Sequence, residues 1–97
     1  MQLSAKDIQI VKDYFTGRPV IKAYLFGSYS RNEADKDSDI DILVDLDYSK
    51  HIGLNFAIMQ SELQQKLHKN IDLISSASIS KHIKPFIEHD KVLIYER

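Results

Sequence analysis

Gly27, Ser28, Arg31, Asp39, Asp41 and Asp72 are the residues of this chain whose types and spacing point to chemistry. Asp39 and Asp41 open the apolar run Ile40–Leu46. In a strand that spacing puts both carboxylates on one face, about 6–7 Å apart along the backbone. Neighbouring carboxylates repel each other unless a counter-charge joins them. Magnesium supplies one: it is a hard ion that takes carboxylate oxygens and leaves positions for phosphate and water. Asp72, between Ile71 and Leu73, is the candidate third acid. If its strand neighbours Ile40–Leu46, three carboxylates meet on one surface, a set able to hold two ions for an in-line displacement at phosphorus. Gly27-Ser28 closes another apolar run. Backbone N–H groups at a glycine turn leading into a helix favour phosphate, and the Ser28 hydroxyl adds a donor. Arg31, one turn further on, reaches a phosphate or pairs with a nearby Asp. Each half alone is weak evidence. An isolated Asp-x-Asp is more often a solvated strand face, and most Gly-Ser pairs are ordinary turns. Asp45 and Asp47 are read in that way, as strand-end and loop charge. The chain has neither a Walker loop nor a Gly-x-Gly-x-x-Gly turn, and this disfavours a dinucleotide-binding fold.

The elements that must position these residues follow from periodicity. Ser4–Thr16 reads as a helix capped by Ser4, with Ile8, Val11 and Phe15 on one face and Gly17 and Pro19 ending it. Val20–Phe26 is a strand by its β-branched and aromatic content, with Tyr24 and Phe26 expected in the core. A short helix is expected over Ser28–Ala34, then a polar loop at Asp35–Ser38. Ile40–Leu46 is a second strand, with Ile40, Ile42, Val44 and Leu46 on one face. Ile52–Lys69 is helical, with the stripe Ile52, Phe56, Met59, Leu63 and Leu67. Leu54 and Ile58 widen that stripe, by default into the core. Asn70–Ile74 is a short third strand and Ser75–Ser80 a loop. Lys81–His89 is a helix in which Pro85 either kinks the chain or starts a second half. Val92–Tyr95 is a closing strand. The order predicts one mixed sheet with helices packed on it.

Composition bounds the rest. Ninety-seven residues, 43% hydrophobic and 28% charged, make one domain over 1–97. A net charge of −1 without a basic block argues against direct nucleic-acid binding. The absence of cysteine excludes disulfides, zinc–thiolate sites and thiol catalysis. No apolar run reaches the roughly 18–20 residues of a membrane span, and the first residues show no signal-peptide pattern, so a cytoplasmic protein is expected. His51, His68, His82 and His89 lack metal-binding spacing and are expected at the surface or in loops. Tyr29 stacks on a base or packs in the core.

Taken together, Gly27-Ser28, ten residues, then Asp39-x-Asp41 resembles the signature of the polymerase-β-like nucleotidyltransferases. The short chain resembles their smallest members, the minimal nucleotidyltransferase (MNT) antitoxins that pair with HEPN-domain toxins. The likeness runs from the leading helix through Ser-Asp-Ile-Asp-Ile-Leu-Val and Ile-Asp-Leu-Ile to the closing Val-Leu-Ile-Tyr-Glu. One departure is Asn32, where the family often has Gly; Asn tolerates a left-handed backbone. The resemblance implies an α/β (α+β) nucleotidyltransferase fold with a mixed four-stranded sheet. It implies nucleotide binding by Gly27, Ser28 and Arg31. It implies two Mg2+ ions on Asp39, Asp41 and Asp72, which are also the catalytic residues, and ATP as substrate. It further implies AMP transfer to a tyrosine hydroxyl of a partner HEPN toxin ribonuclease, which inactivates the toxin within a hetero-oligomer. Two alternatives stand beside it. The chain neutralises the toxin by covering it, or it modifies a small molecule such as an aminoglycoside.

Overall fold

The computed structural model describes residues 3–35 and 37–97. Lys36, in the loop expected at Asp35–Ser38, lies outside the described residues, as do Met1 and Gln2. The elements run α1 (Ala5–Phe15), β1 (Val20–Phe26), β2 (Ile40–Leu46), α2 (Asn55–Leu67), β3 (Ile71–Ser75), α3 (Lys84–Asp90) and β4 (Val92–Glu96). The strands form one mixed sheet in the order β3-β2-β1-β4. β1 is antiparallel to both β2 and β4, whereas β2 and β3 are parallel. A parallel pair requires a crossover, and α2 supplies it.

Ser4 starts α1 as expected: its hydroxyl accepts the Asp7 N–H at 3.0 Å. Asp7 itself turns to Lys69, 3.3 Å away. Gly17, at φ +84°, takes the left-handed turn that ends the helix. Val11, Tyr14 and Phe15 bury against the sheet, and Phe15 packs between the rings of Tyr14 and Tyr95. Met59, Leu63 and Leu67 of α2 bury on the same layer, where they meet Ile40, Ile42 and Val44 of β2 in the main core. Ile52 and Phe56 pack at its margin.

Four expectations change. Tyr24 and Phe26 are half-buried, and Ala23 and Leu25 are the core positions of β1, because alternation sends the aromatic pair to the opposite face. Leu54 and Ile58 are 82% and 49% exposed, since they lie on the side of α2 away from the sheet. The helix expected at Ser28–Ala34 is only a 3₁₀ turn over Gly27–Tyr29; Asn32 at φ +58° stops any continuation. The last helix, α3, begins at Lys84, so Pro85 sits in its first turn and kinks nothing. All four histidines are exposed, and Tyr29 is buried in the core.

His68 caps α2 in the left-handed region, at φ 55°. That conformation is unfavourable for a residue with a Cβ, and the His68 ring is exposed. His68→Gly is expected to raise stability by about 0.5–1 kcal/mol, read as a higher urea midpoint at unchanged slope. A lower midpoint would show that the imidazole contributes more than the strained backbone costs.

Candidate functional site

The site forms where β1 ends and where β2 and β3 begin. Phe26 pairs with Asp41 across the antiparallel ladder, which sets Gly27 beside the Asp41 side chain. A Cβ on Gly27 would stand 2.4 Å from Asp41 Oδ2, and its φ of +74° is one that side chains rarely adopt. Glycine is needed here on both counts. The turn is tight: the Gly27 carbonyl accepts the Ser30 and Arg31 N–H groups at 3.1 and 3.2 Å and the Ser30 hydroxyl at 2.7 Å. The Glu33 N–H reaches the Ser28 carbonyl at 2.8 Å. These bonds fix the path along which Ser28 and Arg31 are presented.

The parallel register pairs Asp41 with Asp72, so their backbones stand about 4.8 Å apart, the ordinary interstrand spacing. Asp41 is half-buried, while Asp72 and Asp39 are exposed. Asp39 lies just ahead of β2. Burial pushes the Asp41 carboxyl up from 3.8 to about 6, and the charges of Asp72 and Asp39 and a hydrogen bond with Asp72 push the same way. Arg31 acts against them. The register therefore sets Asp72 beside Asp41, whereas Asp39 reaches Asp41 through its charge. Among the described residues, no three His, Asp or Glu side chains converge tightly enough, as they stand, to hold an ion. The donor set still fits a hard divalent cation: it is all oxygen, mutually repulsive and open on one side.

Arg31 is exposed but tethered. Its guanidinium pairs with Glu33 at 3.2 Å and with Asp90, at the end of α3, at 2.5 Å. Nothing local in the sequence announced Asp90, because it lies 59 residues from Arg31. Lys91, the next residue, sits 4.3 Å from the centre of the Tyr24 ring. Asp47 belongs to the opposite end of β2. Hydrogen bonds from Ser49 and then Arg97 hold its carboxyl down at about 2, so its role is structural.

A glycine turn beside a carboxylate pair on a mixed sheet is the arrangement of a nucleotidyl-transfer domain. The family model described as polymerase beta, nucleotidyltransferase, matches residues 9–97, and the chain belongs to that family. A Methanocaldococcus jannaschii relative is 32% identical over 95 residues, covering 96% of this chain and 92% of its own. The protein adenylyltransferase MntA of Thermococcus cleftensis is 34% identical over 70 residues, 72% of this chain and 70% of its own. Among solved structures, a chain of a toxin–antitoxin with AMP-PNP superimposes with a TM-score of 0.75 at 21% identity, over 97% of this chain and 75% of that one. A chain from the complex of tri-AMPylated Shewanella oneidensis HEPN toxin with MNT antitoxin gives 0.72 at 19%, over 95% and 71%. At these identities the structural likeness establishes the fold. Among the described residues, no helix is long and apolar enough to cross a membrane.

Two outcomes follow from the crowding at Asp41. Because its folded pKa is raised, the stability that Asp41 contributes to cation-free protein is fully present below the ordinary carboxyl range and is lost as pH rises through about 6. Asp41→Asn should therefore stabilise chelator-treated protein at pH 7–8 by about 1 kcal/mol, allowing for solvent screening. The gain should vanish near pH 4, as thermal melts at the two pH values will test. Gly27→Ala should cost about 1 kcal/mol for the left-handed backbone and push the Asp41 carboxylate aside. Loss of divalent-cation binding in a protein that still melts cooperatively is the expected signature, and unchanged binding would show that the glycine serves only the turn.

Proposed function

We propose that this chain is a protein adenylyltransferase that acts as an antitoxin, transferring AMP from ATP to a tyrosine hydroxyl of a partner HEPN toxin ribonuclease. The observation that carries this reading is the register of Asp41 with Asp72 beneath the Gly27 turn. The adenylyltransferase name of the Thermococcus relative and the toxin–antitoxin complexes among its structural neighbours support the substrate class.

Asp39, Asp41 and Asp72 are assigned as ligands of two magnesium ions. Bound there, the ions supply charge neutralisation to the triphosphate and Lewis-acid polarisation of the α-phosphoryl group. The chain's own groups do the positioning. Gly27 and Ser28 receive the phosphates with backbone N–H groups and a hydroxyl, and Arg31 adds a fixed positive charge. Asp72, exposed on the edge strand β3, would accept the acceptor's proton. The acceptor oxygen bonds to the α-phosphorus, the bond to the β-phosphate breaks and pyrophosphate leaves. Alignment of the reactants is the larger part of this catalysis.

Incubation with labelled ATP, magnesium and the co-encoded HEPN protein should place label on the partner. The Asp39→Ala, Asp41→Ala double variant should lower transfer by at least about a thousandfold while still binding the partner in a pull-down. A double variant that neutralises the toxin at stoichiometric amounts would favour neutralisation by occlusion, and an intact protein that leaves its partner unlabelled would reject the proposal.

A further inference from the structure

We infer that Asp90 is a positioning residue: it holds Arg31 in the orientation that serves the phosphate turn. This rests on the nucleotide-binding role given to Arg31 above. Arg31 is long and exposed, and it sits on a turn. Left alone it would sample many rotamers, and fixing it on a ligand would carry the entropic cost of ordering a rotamer-rich side chain. Two carboxylates remove most of that freedom beforehand. Glu33 accepts from Nε at 3.2 Å and Asp90 accepts from Nη1 at 2.5 Å. Neither bond uses Nη2. The guanidinium thus keeps donors for an incoming phosphate.

The pair differs from an ordinary surface ion pair, which contributes little. Asp90 is the less exposed partner, at 21% against 43% for Arg31. It comes from α3, whose one buried side chain among its described residues is Ile87. Arg31 also opposes the upward push on Asp41, so its charge is felt at the carboxylates. Asp90 therefore fixes a cation whose charge acts on Asp41. It does so from an element that arrives 59 residues later in the chain.

The test is titration calorimetry of ATP with magnesium against the full chain. Arg31→Ala and Asp90→Ala should each weaken ATP binding about tenfold, the worth of one charge-assisted hydrogen bond. The double variant should bind no worse than Arg31→Ala, because Asp90 acts only through Arg31. Asp90→Glu should recover most of the affinity, and Asp90→Asn, which keeps the shape and loses the charge, should not. Asp90→Ala binding ATP as tightly as wild type would overturn the inference, as would losses that add in the double variant. In either case wild-type binding of ATP would leave the functional reading intact. Wild-type protein that binds no ATP would overturn both together.

Discussion

The mutual repulsion of Asp41 and Asp72 is what the surrounding structure is built to sustain. Parallel pairing of β2 with β3 fixes the two residues opposite each other, and neither strand can shift without taking a buried face with it. Ile40 and Ile42 on one strand, and Ile71 and Leu73 on the other, bury into the main core. A slip of one residue would expose that whole set and bury the acids. The core therefore holds the carboxylates together against their own repulsion. Burial first, and the charge of Asp72 after it, raise the Asp41 carboxyl within that constraint.

From that pair outward, each element has a reason to stand where it does. The α2 crossover exists because parallel neighbours cannot be joined by a tight turn. β1 is antiparallel to β2, so its last residues arrive where β2 starts, and the Gly27 turn lands on the acids. Gly27 is then required by contact as well as by conformation: any side chain would occupy the space of Asp41 Oδ2. The other end of the sheet is tied off separately, with Arg97 on Asp47 at 2.9 Å and the Asp47 N–H on the Pro19 carbonyl at 2.9 Å. Acids at the two ends of β2 thus do unlike work. At one end they have cationic and hydroxyl partners, and at the other they crowd one another.

Strand limits were legible because alternation and β-branched content agree with burial: Val20–Phe26 and Ile40–Leu46 both run as read. The pairing of Asp41 with Asp72 was legible for a related reason, since an acid inside an apolar strand contradicts its local propensity. Asn32 was also readable, as a residue tolerant of the left-handed backbone it adopts. The stretch after Gly27 was not. Its residues permit a helix, and only the carbonyl of Gly27, drawing three donors at once, tightens the chain into a 3₁₀ turn. Leu54 and Ile58 misled because helical spacing alone does not say which side of α2 the sheet will occupy. The Arg31–Asp90 pair was invisible because it depends on where α3 ends in space.

The exposure of the acids bears on what the site can do unaided. Asp41 is half-buried under the Gly27 turn, whereas Asp39 and Asp72 face solvent. Electrostatic stabilisation of a phosphoryl transfer is strongest where water is excluded, and here two of the three acids are open to it. The substrates must therefore supply the cover. A nucleotide on the Gly27 turn would shield one side, and a partner surface bringing its hydroxyl toward Asp72 would shield the other. Transfer would then be fast only with both in place. On the proposed function, that coupling would make an open acid cluster safe to carry, because the chain with ATP bound would activate water poorly until an acceptor protein closed the site.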